Sequence, residues 1–322
     1  MTVSPAEPAW LSDDLRRVES LLVETTNSSR YPLVSEPSTH LLRAGGKRLR
    51  PALVVLTSRA GTPGSLPTDL AAAAIELVHL ATLYHDDVID GMATRRGVPT
   101  THAKWGTEIA VLAGDYLFAR ACGLGARAGG EVPAILADAI AEVCEGQIVE
   151  TAALGDTRRS VEDYLDTIRL KTAALFKASC ELGSSTAKVD ATTRKALRSY
   201  GENLGLAFQV VDDLLDILGD QNVTGKVPGT DLKEGVFTVP VLIASGRDGV
   251  LARELSSGQS DLARVLPFLI ETGALRETFD LAASYGDKAL RALAPLPGGE
   301  WKSVLTSIIR GVLAQVERPT AA

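Results

Sequence analysis

Two acidic patterns of identical spacing stand 126 residues apart: Asp86-Asp87-Val88-Ile89-Asp90 and Asp212-Asp213-Leu214-Leu215-Asp216. Each lies in an apolar stretch, 77–89 and 204–218, whose periodicity predicts a helix that is at least partly buried. On a helix the first and last Asp of each pattern are four residues apart, so their carboxylates share a face. Two ionised carboxylates about 4 Å apart repel by roughly 4 kcal/mol at an effective dielectric near 20. Such clusters in apolar surroundings need compensating charge. All six Asp side chains offer oxygen, with no His or Cys in the set, which suits a hard divalent cation. Mg²⁺ is expected, with several ions at one site, because it takes one or two carboxylates and fills its shell from water and substrate phosphates. An EF-hand is excluded, since neither pattern has the alternating acidic loop with its central Gly and closing Glu.

Four basic segments supply the opposite charge. In Gly45-Gly46-Lys47-Arg48-Leu49-Arg50-Pro51 a glycine pair lets the backbone approach an anion, and three cations fall within four residues. The GxxxxGK[ST] spacing of a nucleotide phosphate loop is absent. Arg95-Arg96-Gly97 follows the first acidic pattern, and Lys171-Thr172 sits in a segment, 164–182, that reads as one amphipathic helix. The Gly/Pro-rich loop 224–231 places Lys226 shortly after the second pattern. The first looks like an anion site; the other three, taken singly, read as a solvated loop pair, ordinary surface and a plain connector. Together with two metal-type clusters they describe a site for a molecule bearing several phosphates.

The order of these motifs is specific. GGKRLRP, a His seven residues before the first DDxxD (His79), RRG, KT, Phe208-Gln209 ahead of the second DDxxD, and a Gly-Lys loop run from about residue 40 to 245. This order resembles the trans-isoprenyl (polyprenyl) diphosphate synthases. The stretches 78–87 and 114–119 are most similar to the long-chain members found in actinobacteria. The resemblance implies a Mg²⁺-dependent prenyltransferase that condenses isopentenyl diphosphate with an allylic diphosphate. It assigns the metal ions to Asp86, Asp90 and Asp212, with Asp87, Asp213 and Asp216 in support. Arg95, Lys171 and Lys226 would assist the leaving diphosphate, and Thr172 and Gln209 would flank the carbocation. A separate, metal-free pocket of Lys47, Arg50, His79 and Arg96 would hold isopentenyl diphosphate. His79 by itself, between Val78 and Leu80, reads as a packed side chain; the seven-residue offset to Asp86 puts it two turns up the same face. One departure stands out: relatives often carry a Lys after the Glu-Gly that follows the Gly-Lys loop, and here Glu234-Gly235 is followed by Val236.

The elements that must position these residues are helices. Ala/Leu-rich stretches with helical periodicity recur, aromatics make up only 5% of the chain, and no run of alternating strands stands out. The expected fold is all-α, a single large antiparallel helix bundle around a central cavity, which is also the fold the resemblance implies. No linker divides the chain, so one domain over 1–322 is expected, with loose ends over about 1–15 and 318–322.

A net charge of −7 without a broad basic stripe excludes nucleic acid as the main partner. Three cysteines without CxxC spacing exclude a disulfide framework, and the N-terminus has no basic-then-apolar signal pattern, so a cytoplasmic protein is expected. The longest apolar stretches are interrupted by Glu76 and His79 or by Asp115 and Arg120, so no stable membrane insertion is expected. The resemblance adds a homodimer.

Product length is read from the helix ahead of the first DDxxD. In the family a bulky aromatic at the fourth or fifth position before that motif closes the tunnel for the growing chain. Here those positions hold Thr82 and Ala81, with Ala71-Ala72-Ala73-Ala74 farther up, so products of about thirty carbons or more are expected. The alternatives are a farnesyl or geranylgeranyl diphosphate synthase, a class I terpene cyclase, or a regulatory subunit of a heteromeric synthase. A cyclase has no use for GGKRLRP, and a regulatory subunit would normally have lost an acidic motif.

Overall fold

The computed structural model describes residues 8–219, 227–258 and 261–317. The described chain is helical apart from one two-stranded hairpin. It sorts into two compact units. The first gathers the described residues up to Ile140 with Leu175–Arg198 and Leu296–Leu305; the second gathers Ala141–Ala174, the described part of Ser199–Pro295 and the described residues from Thr306 on.

The first unit is organised on α4 (Leu66–Ile89), which packs against α1 (Ala9–Thr26), α3 (Leu49–Ser58) and α6 (Thr107–Ala128). Ser65 opens α4 by accepting the Thr68 amide, and Pro67 occupies its first turn, where a missing N–H costs nothing. From Leu70 to Val78 every residue is buried, on all faces. That burial explains the Ala run: successive helical residues turn by about 100°, so small side chains let neighbours close in from every side. Tyr84 ties α4 to α2 (Pro32–Arg43), donating to the Pro37 carbonyl at 2.6 Å and accepting from the Leu41 amide at 3.3 Å.

One sequence expectation is corrected in this unit. The loose end expected over 1–15 does not hold from Ala9 onward, where α1 is under way with Leu11 and Asp14 buried and Arg59 bound to Asp14. Two helices, Leu66–Ile89 and Thr107–Ala128, are long and apolar enough to cross a membrane by length and composition. The charge that interrupts the first, Glu76, is paired inside the protein, and 72% of that helix's apolar window is buried against its neighbours.

After α4 the chain makes the hairpin β1 (Thr94–Arg95) and β2 (Val98–Pro99), closed by Arg96 and Gly97. Both closing residues have positive φ, +52° and +76°, the signature of a type I′ turn, whose twist matches antiparallel strands. The short α5 (Thr101–Trp105) and α6 follow.

The second unit contains most of α7 (Val132–Ala152), α8 (Val161–Ile168), and the end of α10 (Ala191–Leu218). Ser160 and Asp163 form a reciprocal capping box at the start of α8. The single helix expected over 164–182 is interrupted: residues Arg169–Ala173 form a π-helical turn between α8 and α9 (Ala174–Thr186). Beyond the second acidic pattern lie α11 (Thr230–Lys233), α12 (Val239–Arg247), α13 (Gly249–Ser256), α14 (Leu262–Glu271), α15 (Ala274–Leu293) and α16 (Glu300–Leu313).

Candidate active site

In the first unit the cationic segments converge on one buried acid. Glu76, 2% exposed, lies three residues before His79 on α4 and accepts Arg48 Nη1 at 3.2 Å. Arg48 also binds both oxygens of Glu19, at 2.8 and 3.0 Å, and the carbonyls of Gly45 and Leu42. With its donors committed to the protein, Arg48 is a clamp on the basic loop. Its neighbours differ. Lys47 is exposed, and the Arg50 guanidinium lies 4.9 Å from the Phe176 ring with its buried Nε lacking a partner. Arg96 reaches in from the hairpin to the carbonyls of Leu41, at 3.2 Å, and Gly45. Gly46 suits this position because its φ of +152° is one that L residues rarely adopt, and a Cβ would crowd the Arg48 and Arg96 guanidiniums at 2.7 and 3.0 Å.

Electrostatics follow the crowding. Burial lowers Arg50 to about 10, against the pull of Glu76, so it stays charged at neutral pH. Burial pushes Glu76 up, opposed by Arg48, Arg50 and Arg96. His79 is held well below its ordinary value by burial and then by Arg50, Arg96, Arg95 and Arg48, so its imidazole is neutral. One buried carboxylate among three guanidiniums and Lys47 leaves an excess of positive charge, suited to an anion with several charges.

The first acidic motif ends the same helix. The Asp90 amide still bonds to the Asp86 carbonyl at 2.8 Å, so the helical register holds through the motif and the Asp86 and Asp90 side chains share a face. Asp87 points elsewhere. It is fully buried and accepts Arg95 Nε at 2.5 Å, with burial raising its pKa against that pairing. The hairpin thereby sends adjacent arginines in different directions, Arg95 to Asp87 and Arg96 to the basic loop. His85 bridges α4 to α6, 3.2 Å from the Val111 carbonyl and 3.5 Å from Asp115, with Phe118 tilted against its ring. Gly114 leaves the space for it, since a Cβ there would lie 2.3 Å from Nε2.

In the second unit Lys171 and Thr172 occupy the π-helical turn. Lys171 Nζ is paired with Glu150 of α7, and the Lys171 backbone passes so close to Gly146 that a Cβ there would meet its nitrogen at 2.5 Å. Thr172 donates to Gln209 Oε1 at 2.9 Å, and Gln209 Nε2 donates to Asp213 Oδ1 at 3.1 Å. The same oxygen accepts the Tyr164 hydroxyl at 2.9 Å. Burial raises Asp213 well above the usual carboxylate range, and Asp231 and Asp212 add to the rise. Asp216 accepts the Thr230 amide at 3.1 Å, which anchors the start of α11 to the second motif. Lys226 lies outside the described residues. Val236, at the departure noted above, bonds through its amide to the Asp231 carbonyl.

The donor set fits hard cations. The second oxygens of Asp87 and Asp213 are buried without a hydrogen-bond partner, and the remaining candidate donors are carboxylate oxygens. Among the described residues no three His, Cys, Asp or Glu side chains converge on a point. A cavity of about 520 Å³ in the second unit, lined by Arg158, Arg159, Leu242, Arg247 and Glu277, contains none of the predicted site residues.

Sequence reading missed the supports of these groups. Glu76 stood out only as a charge in an apolar stretch, and Arg48 was overshadowed by Lys47 and Arg50. Tyr164 precedes Lys171 by seven residues, the same offset as His79 to Asp86, which is a detectable signal. Glu150 carried no signal of its own.

The polyprenyl synthetase family profile matches residues 31–261. A nonaprenyl diphosphate synthase from Mycobacterium tuberculosis is 38% identical over 91% of this chain and 90% of its own length. Component 2 of a heptaprenyl diphosphate synthase from Geobacillus stearothermophilus is 39% identical over 93% and 95%. The crystal structure of a polyprenyl synthase from Caulobacter crescentus, complexed with calcium and isoprenyl diphosphate, is 38% identical over 96% of each chain, with a TM-score of 0.89. Paired acidic helices, a cationic cluster on the helix of the first, and likeness along nearly the whole length of these proteins have one reading: the chain belongs to the polyprenyl synthetase family and is a prenyltransferase.

Proposed function

We propose that this protein extends an allylic diphosphate with isopentenyl diphosphate to give a long-chain trans-polyprenyl diphosphate, acting as one catalytic domain over the whole chain. The observation that carries the reading is the division of labour on α4: a cationic cluster around Glu76 and His79 at one level, and the Asp86–Asp90 pair two turns on. One diphosphate must leave and the other is retained, so the two need different chemistry.

Lys47, Arg50, Arg96 and neutral His79 bind the retained isopentenyl diphosphate. Arg48 and Glu76 shape that pocket without contacting substrate. Asp86, Asp90 and Asp212, supported by Asp87, Asp213 and Asp216, would hold Mg²⁺, which when bound stabilises the negative charge growing on the departing diphosphate. Arg95, Lys171 and Lys226 orient and bind that same group. Thr172 and Gln209 present oxygen dipoles to the allylic carbocation. No residue is assigned as base; a proton lost in the condensation can leave on the released diphosphate.

The nonaprenyl and heptaprenyl names of the relatives support a long product, as do Ala81 and Thr82 ahead of the first motif. We further propose a cytoplasmic homodimer. Three free cysteines fit a reducing compartment, and Val111 and Leu112 of α6 expose apolar surface suited to a second copy. Partnership with a second, different subunit is the competing arrangement, motivated by the component 2 relative.

The test is product analysis with purified protein, Mg²⁺, labelled isopentenyl diphosphate and allylic primers of several lengths. Diphosphate release that requires isopentenyl diphosphate, with radiolabel in chains of thirty carbons or more, is expected. Release from the allylic substrate alone would indicate a cyclase, and no turnover until another protein is added would indicate a heteromeric enzyme.

A further inference from the structure

Four side chains of the second unit form a relay in which every hydrogen points toward Asp213. Thr172 donates to Gln209, Gln209 donates to Asp213, and Tyr164 donates to Asp213 from the other side. Tyr164 is 2% exposed and Asp213 fully buried, so water does not compete for these bonds. Both donors use the same oxygen, Oδ1, and that fixes the sense of the relay. An inverted Gln209 would set its own carbonyl oxygen against Asp213 Oδ1, acceptor against acceptor. With the amide held in place, Oε1 must face Thr172, and the Thr172 proton is committed to it. The Thr172 oxygen is left with only lone pairs for its remaining neighbours.

We propose that Tyr164 is a positioning residue that sets this polarity, so that Thr172 presents an electron-rich oxygen to the developing allylic cation. The phenol does not touch substrate; it acts through Asp213 and Gln209. Arg159 lies over its ring, with Cζ 5.3 Å from the centroid, and α8 runs from Tyr164 directly into the π-helical turn bearing Lys171 and Thr172. The rigid phenol and the irregular turn therefore register two ends of one short relay. A π-turn inside a helix commonly marks a position where regular spacing would misplace a functional side chain. The proposal rests on the reading of Thr172 as a neighbour of the carbocation.

Steady-state kinetics on Tyr164→Phe test it. Phe keeps the ring and removes only the donor. The expected result is a fall in kcat of about tenfold, smaller than the roughly hundredfold or more for losing a donor that itself contacts the reacting centre, with KM for isopentenyl diphosphate unchanged. The decisive arm is a double-mutant cycle with Thr172→Val: the same Tyr164→Phe change should cost less than about twofold once Thr172 has no hydroxyl to orient. Equal losses in both backgrounds, or unchanged kcat in the single variant, overturn the relay. Should Tyr164→Phe fail to fold, Gln209→Leu severs Thr172 from Asp213 while keeping the Tyr164 bond. It should lower kcat with the isopentenyl diphosphate KM unchanged, and near-wild-type turnover would overturn the proposal equally. Failure of the functional reading is separate, since the wild-type protein itself would then show no isopentenyl-dependent turnover.

Discussion

Arg95 Nε and Asp87 Oδ1 lie 2.5 Å apart, joining the hairpin to the helix that ends in the first acidic motif, with the Asp87 side chain 1% exposed. An arginine in this place serves the fold as well as a departing anion. Removing one partner of such a pair leaves an uncompensated buried charge. Arg95→Ala should destabilise the protein by about 1–3 kcal/mol, below the fully buried range because the guanidinium is partly open to solvent. Asp87→Asn in the Arg95→Ala background should recover part of the lost melting temperature without recovering turnover. Equal melting temperatures for wild type and Arg95→Ala would refute the pairing.

The metal assignment predicts a loss of rate without a loss of fold. Asp86→Ala or Asp212→Ala should cut turnover by several orders of magnitude at saturating Mg²⁺, with melting temperature near that of wild type. Chelation by EDTA should abolish turnover, and added Mg²⁺ should restore it. A folded variant with near-wild-type activity would remove that residue from the metal set.

The basic loop should divide by function. Lys47→Ala, Arg50→Ala and Arg96→Ala each remove a charge-assisted phosphate contact worth roughly 1.5–3 kcal/mol, and should raise KM for isopentenyl diphosphate more than for the allylic substrate. Arg48→Ala should behave differently. Its side chain is 13% exposed against a 2% exposed Glu76, and breaking that pair should cost about 3–5 kcal/mol of stability. Thermal melting separates the two classes, and an Arg48→Ala protein with normal stability and a selective KM defect would reverse the assignment.

Product length should respond at Ala81. This residue is fully buried, and of the Ala run only Ala74, seven residues away, lies close to its face of α4; Ala72 points to the opposite side. Ala81→Phe should shorten the product distribution while the first condensation proceeds, with about 1–3 kcal/mol of destabilisation from overpacking. Chromatography showing the same long product in a folded Ala81→Phe protein would place the length control elsewhere.

Much of this was legible because it rests on local spacing. The DDxxD pairs, the seven-residue step from His79 to Asp86 and the Gly-Gly-Lys turn are all short-range patterns, and the all-α architecture followed from periodicity. What escaped depends on contacts remote in sequence. Nothing near Gly146 reveals that the Lys171 backbone packs onto it, and nothing near Tyr164 reveals an acceptor 49 residues away. The π-helical turn escaped for a related reason: one added residue per turn barely disturbs a hydrophobic pattern while changing which side chains share a face. The Ala run stayed ambiguous in the sequence because small side chains promise room equally well to a ligand and to a neighbouring helix.

Arg48 and Arg96 are both left-handed, with φ of +49° and +52°, and both reach toward the Gly45 carbonyl. Non-glycine residues rarely hold that conformation, and β-branched ones pay most for it. The basic loop and the hairpin turn therefore make a single exchangeable cassette. A loop transplanted from a relative without its matching turn would lose one of two guanidiniums gripping the same carbonyl, and a residue larger than Gly at position 46 would be strained in its backbone and would crowd both. Segment swaps meant to retune the retained-substrate pocket should move residues 45–50 and 94–99 together.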